Sequence, residues 1–359
     1  MKQRALELLE SCTQAFGVSS DEGPIRALIA EELGAPIDYD RMGNLYHRQP
    51  GKGKDAPVVM VEAHMDEIGF MIRTITPDGY LKFVTLGGWW GHVLLAQRVR
   101  IRTRAGDYII GVISSTPPHQ LGPAQKDKVM KIDHMCIDVG ATSADDVRER
   151  FGIDVGDTAV PDAPFSQLQN PDMLLSKAFD NRVGVSMMIQ TAEEMRSRKH
   201  SAKLVSVAAV QEELGTRGAQ VAGRVLQPDV AIVLEGPPAD DLLGMPVAEQ
   251  QGALGKGPQL RLMDPTAVMN RGLVDFVRDV AKAEDIPLQL AVRNSGGTDA
   301  RALQVHGRGV PTIVLGVPAR YIHTHNAMIH LEDYLQSVRL LIAVLEKLDR
   351  KAVESFFTF

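Results

Sequence analysis

The sequence predicts an α/β protein with a mostly parallel mixed sheet, helices on both faces and an inserted β-rich segment. Four short apolar runs are typical of strands that are buried on both faces, at residues 58–61, 204–210, 231–234 and 312–317. From residue 174 onward, helical patterns alternate with these runs at the spacing of α/β units. Between the first run and that point, the chain changes to short alternating strands, which predicts the insertion.

The N-terminal part predicts two helices and a strand that lead into the sheet. Residues 3–16 form the first helical pattern, and residues 23–33 form a second one that Ser20 caps. Residues 37–45 are a strand candidate with a turn at 42–44. We therefore expect these elements to flank the first buried strand.

The inserted segment, residues 68–161, reads as a β-rich domain of its own. Hairpin signals occur at residues 77–79 and 105–107, and a single helix is predicted, capped near Ser143. A larger domain would then consist of residues 1–67 and 162–359.

Two adjacent tryptophans, Trp89 and Trp90, lie in the inserted segment. They either form the core of a small domain or lie at an interface between subunits. The residues by themselves favour neither arrangement.

The C-terminal half predicts helices at residues 181–197, 266–283, 298–305 and 331–348. Gly296 and Gly297 precede the third of these helices. Their arrangement resembles an anion-binding helix start, and a plain N-cap at Thr298 explains it equally well.

Composition is that of a folded globular protein without a strongly charged partner. The 359 residues are 44% apolar and 23% charged, with a net charge of −6, so nothing indicates binding to nucleic acid or to an anionic membrane. The two cysteines, Cys12 and Cys136, form no disulfide framework or thiolate zinc motif, which suits a reducing cytoplasm. The N-terminus has the pattern of a charged amphipathic helix instead of a signal peptide, and no apolar run is long enough to span a membrane.

Acids and histidines follow the predicted strands, at the edge where ligands bind in open α/β sheets. Taken one at a time, each is more simply explained as a solvated turn or a surface residue, the pair Glu212 and Glu213 included. Their recurrence after every buried run instead predicts one shared cleft. The candidates are His64 and Asp66, Glu212 and Glu213, Glu235, His323, and Asp180 at a helix start.

Two histidines with three or more carboxylates suit zinc, cobalt or manganese. A carboxylate shared between two such groups is how two ions come to lie about 3.5 to 4 Å apart. The residue set therefore predicts two metal ions and hydrolysis.

Five motifs resemble those of the M42 family of dinuclear aminopeptidases, of the tetrahedral-aminopeptidase type, and they occur in order over nearly the whole chain. They are AHMDEIGF at residues 63–70, AFDNR at 178–182, QEELG at 211–215, GGTDA at 296–300 and RYIH at 320–323. The resemblance implies a zinc-exopeptidase-like fold with an inserted β-rich dimerisation domain.

Matched by position, the resemblance implies that His64, Asp180 and Glu235 bind one metal and that Asp180, Glu213 and His323 bind the other. The remaining matches are Glu212 as the general base and Asp66 as the acid that orients His64. Glu235 departs from the family pattern, in which aspartate is more frequent. His325 shares a strand face with His323, but the RYIH motif places the ligand at His323.

The resemblance also implies a cis peptide bond between Asp180 and Asn181 and peptide substrates with a free N-terminus, and the cysteine pattern leads us to expect a cytoplasmic enzyme. It implies further that dimers assemble into a tetrahedral homododecamer, with Trp89 and Trp90 in subunit contact.

Three other functions are weighed against this one. A related dinuclear deacylase or carboxypeptidase would use the same ligands and differ in substrate. A non-catalytic metal-binding scaffold would be expected if Glu212 or Asp66 were missing, and both are present. A glycosidase with paired carboxylates leaves the two histidines unexplained.

Overall fold

A computed structural model describes residues 1–357, the side chain of residue 125 excepted. Within that part of the chain the helices are α1 Lys2–Gln14, α2 Gly23–Leu33, α3 Pro123–Lys126, α4 Ala144–Glu149, α5 Phe179–Met195, α6 Arg217–Leu226, α7 Arg271–Ala283, α8 Ala300–Gln304, α9 Leu331–Lys347 and α10 Arg350–Ser355. The strands are β1 Ile37–Tyr39, β2 Leu45–Gln49, β3 Val58–His64, β4 Gly69–Ile75, β5 Leu81–Leu86, β6 Arg98–Arg102, β7 Tyr108–Ile113, β8 Ile137–Asp138, β9 Thr158–Pro161, β10 Ser166–Gln167, β11 Met173–Ser176, β12 Lys203–Ala209, β13 Val230–Glu235, β14 Gln259–Asp264, β15 Ala267–Val268, β16 Gln289–Val292, β17 Thr312–Gly316, β18 Ala319–Arg320 and β19 Ala327–His330.

A mixed sheet of nine strands forms the centre of the fold. Its order is β1-β2-β12-β3-β13-β17-β14-β15, and β16 pairs with β14. The central strands β12, β3, β13 and β17 run parallel to one another. Every residue of β13 and β17 is buried, as expected for strands covered on both faces. The predicted fold class is therefore confirmed, and the carboxyl ends of four neighbouring strands meet at one edge.

Helices cover both faces of this sheet. Helix α5 packs against β3, β12 and β13, and α1, α2 and α9 pack around it. Helices α6 and α8 contact each other and cover the strands from the other side. Because both faces are covered, the edge at the carboxyl ends of the strands is where polar side chains can meet.

The inserted segment forms a closed antiparallel barrel in the order β4-β5-β8-β7-β6-β9. Its strands lie between residues 69 and 161, and its core contains Phe70, Ile101 and Ile137. The segment contains the predicted helix, which Ser143 caps, but also the short helix α3, so the prediction of a single helix was wrong. The domain boundaries at 67/68 and 161/162 stay a prediction.

The two tryptophans have different environments. Trp89 is partly buried and stacks on Phe70 with ring centroids 4.8 Å apart, whereas the Trp90 side chain is 63% exposed. Trp89 therefore packs on the barrel core and Trp90 faces outward, and a role of either tryptophan at a subunit interface stays a prediction.

A second, antiparallel sheet of four strands, in the order β10-β11-β19-β18, lies beside the main one. The loop between β18 and β19 carries His323 and His325. This sheet therefore delivers the last candidate histidine to the edge of the main sheet.

The predicted ends of three elements were wrong. The helix predicted from residue 266 begins at Arg271, because Asn270 caps it and Asp264 holds the β14–β15 hairpin before it. The turn predicted at 42–44 is present, and its backbone N–H groups donate to Asp40, but the strand after it, β2, continues to Gln49 because it pairs with β12. Ser20 is not a cap, since the N-cap of α2 is Glu22.

The helix predicted at residues 298–305 is α8, which covers five residues, and its N-cap is Asp299. The hydroxyl of Thr298 accepts from the Ala300 N–H at 3.3 Å. A helix this short has too small a dipole to form an anion site.

Among the described residues, no helix combines the length and the apolar character that crossing a bilayer requires.

Candidate metal centre

All seven predicted site residues meet at the carboxyl edge of the main sheet. His64 and Glu235 end β3 and β13, Asp66 follows β3, and Glu212 and Glu213 lie in the loop after β12. Asp180 is the second residue of α5, and His323 lies in the β18–β19 loop.

One group of side chains consists of His64, Asp180 and Glu235. The His64 Nε2 atom lies 3.3 Å from Asp180 Oδ1 and 3.9 Å from Glu235 Oε2. One donor atom from each of the three side chains lies within 4.8 Å of the others. A single divalent cation fits between donors at such distances.

A second group consists of Asp180, Glu213 and His323. The His323 Nε2 atom lies 3.2 Å from Asp180 Oδ2 and 3.4 Å from Glu213 Oε1. Asp180 thus presents one carboxylate oxygen to each group. That is the geometry of a carboxylate which could bridge two ions.

The two imidazole rings are oriented by backbone carbonyls. His64 Nδ1 donates to the Asp66 carbonyl at 3.0 Å, and His323 Nδ1 donates to the Gly88 carbonyl at 2.8 Å. Because a carbonyl can only accept, both rings carry their proton on Nδ1. Nε2 is therefore the nitrogen of each ring that faces the two groups and that could bind an ion once it is deprotonated.

The Asp66 carboxylate mainly holds the loop that carries the two glutamates. It accepts from the backbone N–H groups of Glu212 and Glu213 at 3.0 and 3.2 Å and from the Ser19 hydroxyl at 2.5 Å. Its distance to His64 Nδ1 is longer, at 3.5 Å. Burial raises the pKa of Asp66, but its interactions with His64 and Ser19 outweigh this, so the pKa is lowered and the group is ionised.

Glu212 stands beside the two groups and belongs to neither of them. Its Oε2 atom lies 4.0 Å from His64 Nε2. Burial raises its pKa well above the ordinary value, His64 opposes this, and the charges of Asp299 and Glu235 add to it. A carboxylate with a raised pKa is a better proton acceptor at neutral pH than an exposed one.

The site concentrates buried carboxylates that repel one another when they are ionised. Burial, opposed by the neighbouring histidines and aided by Asp180, raises the pKa of Glu213 to about 7 and that of Glu235 to about 8. Burial lowers the pKa of His64, but its hydrogen bond to Asp180 outweighs this and the pKa is raised. Buried charges of one sign need a counter-charge, and the oxygen and imidazole donors fit divalent cations.

The peptide bond between Asp180 and Asn181 is cis, as the family resemblance implies. The Asn181 side chain donates to the Leu234 carbonyl at 2.8 Å and accepts from the Gly184 N–H at 3.1 Å. These bonds fix the start of α5 against the end of β13. Asp180 is thereby held between the two groups.

His325 lies away from both groups. It is buried, and its ring faces Trp89 at a centroid distance of 5.6 Å. Burial lowers its pKa to about 4, so the ring is neutral at pH 7. This position agrees with the choice of His323 over His325.

Sequence reasoning missed several residues that contribute to the site. The groups open into a cavity of about 410 Å³ whose wall includes Arg261 and Arg301. Ser19 and Gly88 contact Asp66 and His323 from distant parts of the chain. No spacing pattern could find these residues, because each depends on tertiary contact.

The sequence model of the M42 glutamyl aminopeptidase family matches residues 43–340. The chain belongs to the M42 family. The family recognised from the five motifs is confirmed, and with it the prediction of a peptide hydrolase of the aminopeptidase class. M42 enzymes are metallopeptidases, in agreement with the donor groups found here.

Characterised M42 relatives match nearly the full length. The glutamyl aminopeptidase of Lactococcus lactis is 34% identical over 96% of this chain and 97% of its own. The lysyl aminopeptidase of Pyrococcus furiosus is 35% identical over 95% of this chain and 97% of its own. The two names differ in the residue that is removed.

Solved structures of the M42 family share the whole fold. A TET aminopeptidase from a marine sediment archaeon of the Thaumarchaeota is 39% identical, with a TM-score of 0.93 over 99% of both chains. The TET1 peptidase of Pyrococcus horikoshii, which can assemble into a tetrahedron or a large octahedral shell, is 32% identical, with a TM-score of 0.84 over 96% of this chain and 100% of its own.

Proposed function

We propose that this M42 enzyme removes N-terminal residues from short peptides by using a water molecule activated between two divalent metal ions. The main support for this proposal is that Asp180 places one oxygen in each of two histidine–carboxylate groups. Zinc or cobalt suits these donors, with manganese as a further candidate. Two such ions, when bound, lower the pKa of a shared water and polarise the peptide carbonyl.

The proposed ligands follow the two groups. His64, Asp180 and Glu235 hold one ion, and Asp180, Glu213 and His323 hold the other. Support comes from the donor atoms, which lie within 4.8 Å of one another in each group. Glutamate at position 235 is longer than the aspartate expected there, and its Oε2 atom still lies within 3.9 Å of His64 Nε2.

In this proposal Glu212 is the general base. It takes a proton as the peptide carbonyl is attacked and delivers that proton to the leaving amine. Its position next to both groups, outside either ligand set, is what the role requires. Asp66 supports it by accepting the backbone N–H groups of Glu212 and Glu213.

The experiment that tests this function is a substrate profile. Peptides and aminoacyl-nitroanilides with a free amine should be cleaved, because the α-amine can bind one of the ions, whereas N-acylated peptides should not be. A preference for N-acyl or C-terminal substrates would show a deacylase or carboxypeptidase on the same site. Metal-free activity on a glycan would support a glycosidase, and a protein that binds metal without hydrolysing any substrate would be a scaffold.

The cavity wall suggests which first residue is preferred. Among the described residues, Arg261 and Arg301 are the only lysine or arginine side chains that line it. Arg261 is buried and pairs with Asp264 at 3.2 Å, whereas Arg301 is exposed. An acidic first residue would thus meet a positive side chain, and a lysine would be repelled.

We therefore predict that glutamyl- and aspartyl-nitroanilides are cleaved faster than the lysyl substrate. Arg301→Ala should lower kcat/KM for the glutamyl substrate about tenfold, the size of a lost charged hydrogen bond, and leave the leucyl substrate unchanged. Arg308→Ala is the matched control, because that exposed arginine does not line the cavity. Equal losses on both substrates in Arg301→Ala would argue against a charge contact.

We also propose that residues 1–67 and 162–359 form the catalytic domain and that 68–161 is an inserted dimerisation domain. Dimers would assemble into a tetrahedral homododecamer, which encloses the active sites. The assembly of the TET1 peptidase and the outward-facing Trp90 support this. A cytoplasmic location stays a prediction of the sequence.

A charge at position 90 should break this assembly. Aromatic anchors in interfaces of more than about 1,200 Å² often contribute 2 kcal/mol or more, so Trp90→Glu should shift the particle from twelve chains to smaller species in light scattering. Short peptides should still be cleaved, and Trp90→Phe should keep the full size. A wild-type monomer at micromolar concentrations would instead identify the insert as an independent lid.

A further inference from the structure

One loop of the barrel reaches across to the metal centre. Residues 87–89, which follow β5, form this loop. The Gly88 carbonyl accepts from His323 Nδ1 at 2.8 Å, across 235 residues of sequence. A Cβ atom at Gly88 would lie 3.3 Å from the same nitrogen, so the ring would have to shift by a few tenths of an ångström to admit it.

Gly87 lies close to Glu213, which belongs to the same group as His323. Its φ is +84°, a left-handed conformation that favours glycine. A Cβ atom there would lie 2.9 Å from Glu213 Oε2 and 2.5 Å from Ile68 Cγ2. The two glycines therefore contact His323 and Glu213, the two residues that only the second group contains.

Trp89 fixes this loop from both sides. Its ring stacks on Phe70 in the barrel core, and its Nε1 donates to the Gly69 carbonyl at 3.2 Å. On the other side it faces the ring of His325, which lies two residues after His323. The loop is thus held to the barrel and to the β18–β19 loop at once.

His323 needs such support more than His64 does. Its side chain is 35% exposed, against 2% for His64. Tyr321 and His323 also have φ values of 60° and 57°, which non-glycine residues rarely adopt. For a half-buried ring on a strained loop, a partner for Nδ1 adds to the contacts that Nε2 makes with Asp180 and Glu213 and fixes the ring direction.

We propose that the loop at residues 87–89 is a positioning element for the second metal ion, so that the barrel helps to hold this ion. The inference rests on the proposed two-metal function and extends it. Gly88 and Gly87 set the direction of His323 and Glu213, and Trp89 keeps the loop in place. The first ion depends on contacts within the main sheet instead.

The test is a metal titration of chelator-treated protein with Zn²⁺, followed by calorimetry, and with Co²⁺, followed by its visible spectrum. Gly88→Ala keeps the carbonyl but adds a Cβ atom 3.3 Å from His323 Nδ1, so it should displace the ring from its hydrogen bond. It should leave the first ion at wild-type affinity and weaken the second about 10- to 100-fold, as disturbing a ligand's hydrogen bond usually does. Gly88→Val should weaken it further in the same direction. Gly91→Ala is the matched control, because its Cβ would meet the Met130 carbonyl at 3.1 Å and no site residue.

The outcomes separate this proposal from the function on which it rests. A wild type with two binding events and a Gly88→Ala variant that keeps both at wild-type affinity would overturn the positioning role alone. Equal weakening of both ions would overturn it as well, because the effect would then be general. A wild type that binds fewer than two ions would overturn the two-metal function and this proposal together.

Discussion

Replacing Glu212 by glutamine should leave the metal content near the wild-type value and lower turnover at least about 100-fold. Glutamine keeps the size of the side chain and the backbone bonds to Asp66, but it cannot accept a proton. Glu212 lies outside both ligand groups, so the ions do not depend on its charge. The measurement is kcat on an aminoacyl-nitroanilide together with metal content on the same sample.

The adjacent residue supplies a matched control for this variant. Glu213 Oε1 belongs to the second group, at 3.4 Å from His323 Nε2. Glu213→Gln should therefore lose metal as well as activity, which Glu212→Gln should not. If Glu212→Gln retains its activity, Glu212 is a bystander, and Glu213 or Asp66 should be tested as the base.

Asp180→Ala should remove both metal ions and all measurable activity. Its two oxygens lie 3.3 Å from His64 Nε2 and 3.2 Å from His323 Nε2, so each group loses a ligand. The fold should survive, because His64 and His323 lose an ionised partner and can then take the neutral form, which is close to their ordinary state at pH 7. Metal content after gel filtration and a melting curve measure the two effects.

Glu235→Ala is the variant to compare with Asp180→Ala, because Asp180 is the proposed bridging ligand. Glu235 lies only in the first group, so its loss should mainly weaken one ion and leave the other bound. Mild and equal losses of metal in Asp180→Ala and Glu235→Ala would contradict the assigned roles. A ligand of both ions should cost more metal when it is removed than a ligand of one ion.

The sequence was sufficient for the four parallel strands of the main sheet and for the meeting of the seven candidate residues at one edge. Strands β3, β12, β13 and β17 could be predicted because they are buried on both faces and each contains a run of apolar residues. One acid after such a run is simply explained as a solvated turn, but acids and histidines after every run stand out. Each strand end is a local feature, and the parallel order brings these ends together.

The rest could not be predicted because it depends on contacts between distant segments. The β14–β15 hairpin replaces the first turn of a predicted helix, since Asp264 accepts N–H groups that a helix would have used. The Asp66 carboxylate is nearer to the Glu212 N–H than to the His64 ring, which its position in the motif does not show. The bond from His323 to Gly88 joins the barrel to the site across the fold.

Elemental analysis of the purified enzyme tests the central claim most directly. The account predicts close to two transition-metal ions per chain, zinc, cobalt or manganese, and loss of peptide hydrolysis when a chelator removes them. One tightly bound Ca²⁺ with no transition metal, or full activity in the chelated protein, would contradict it.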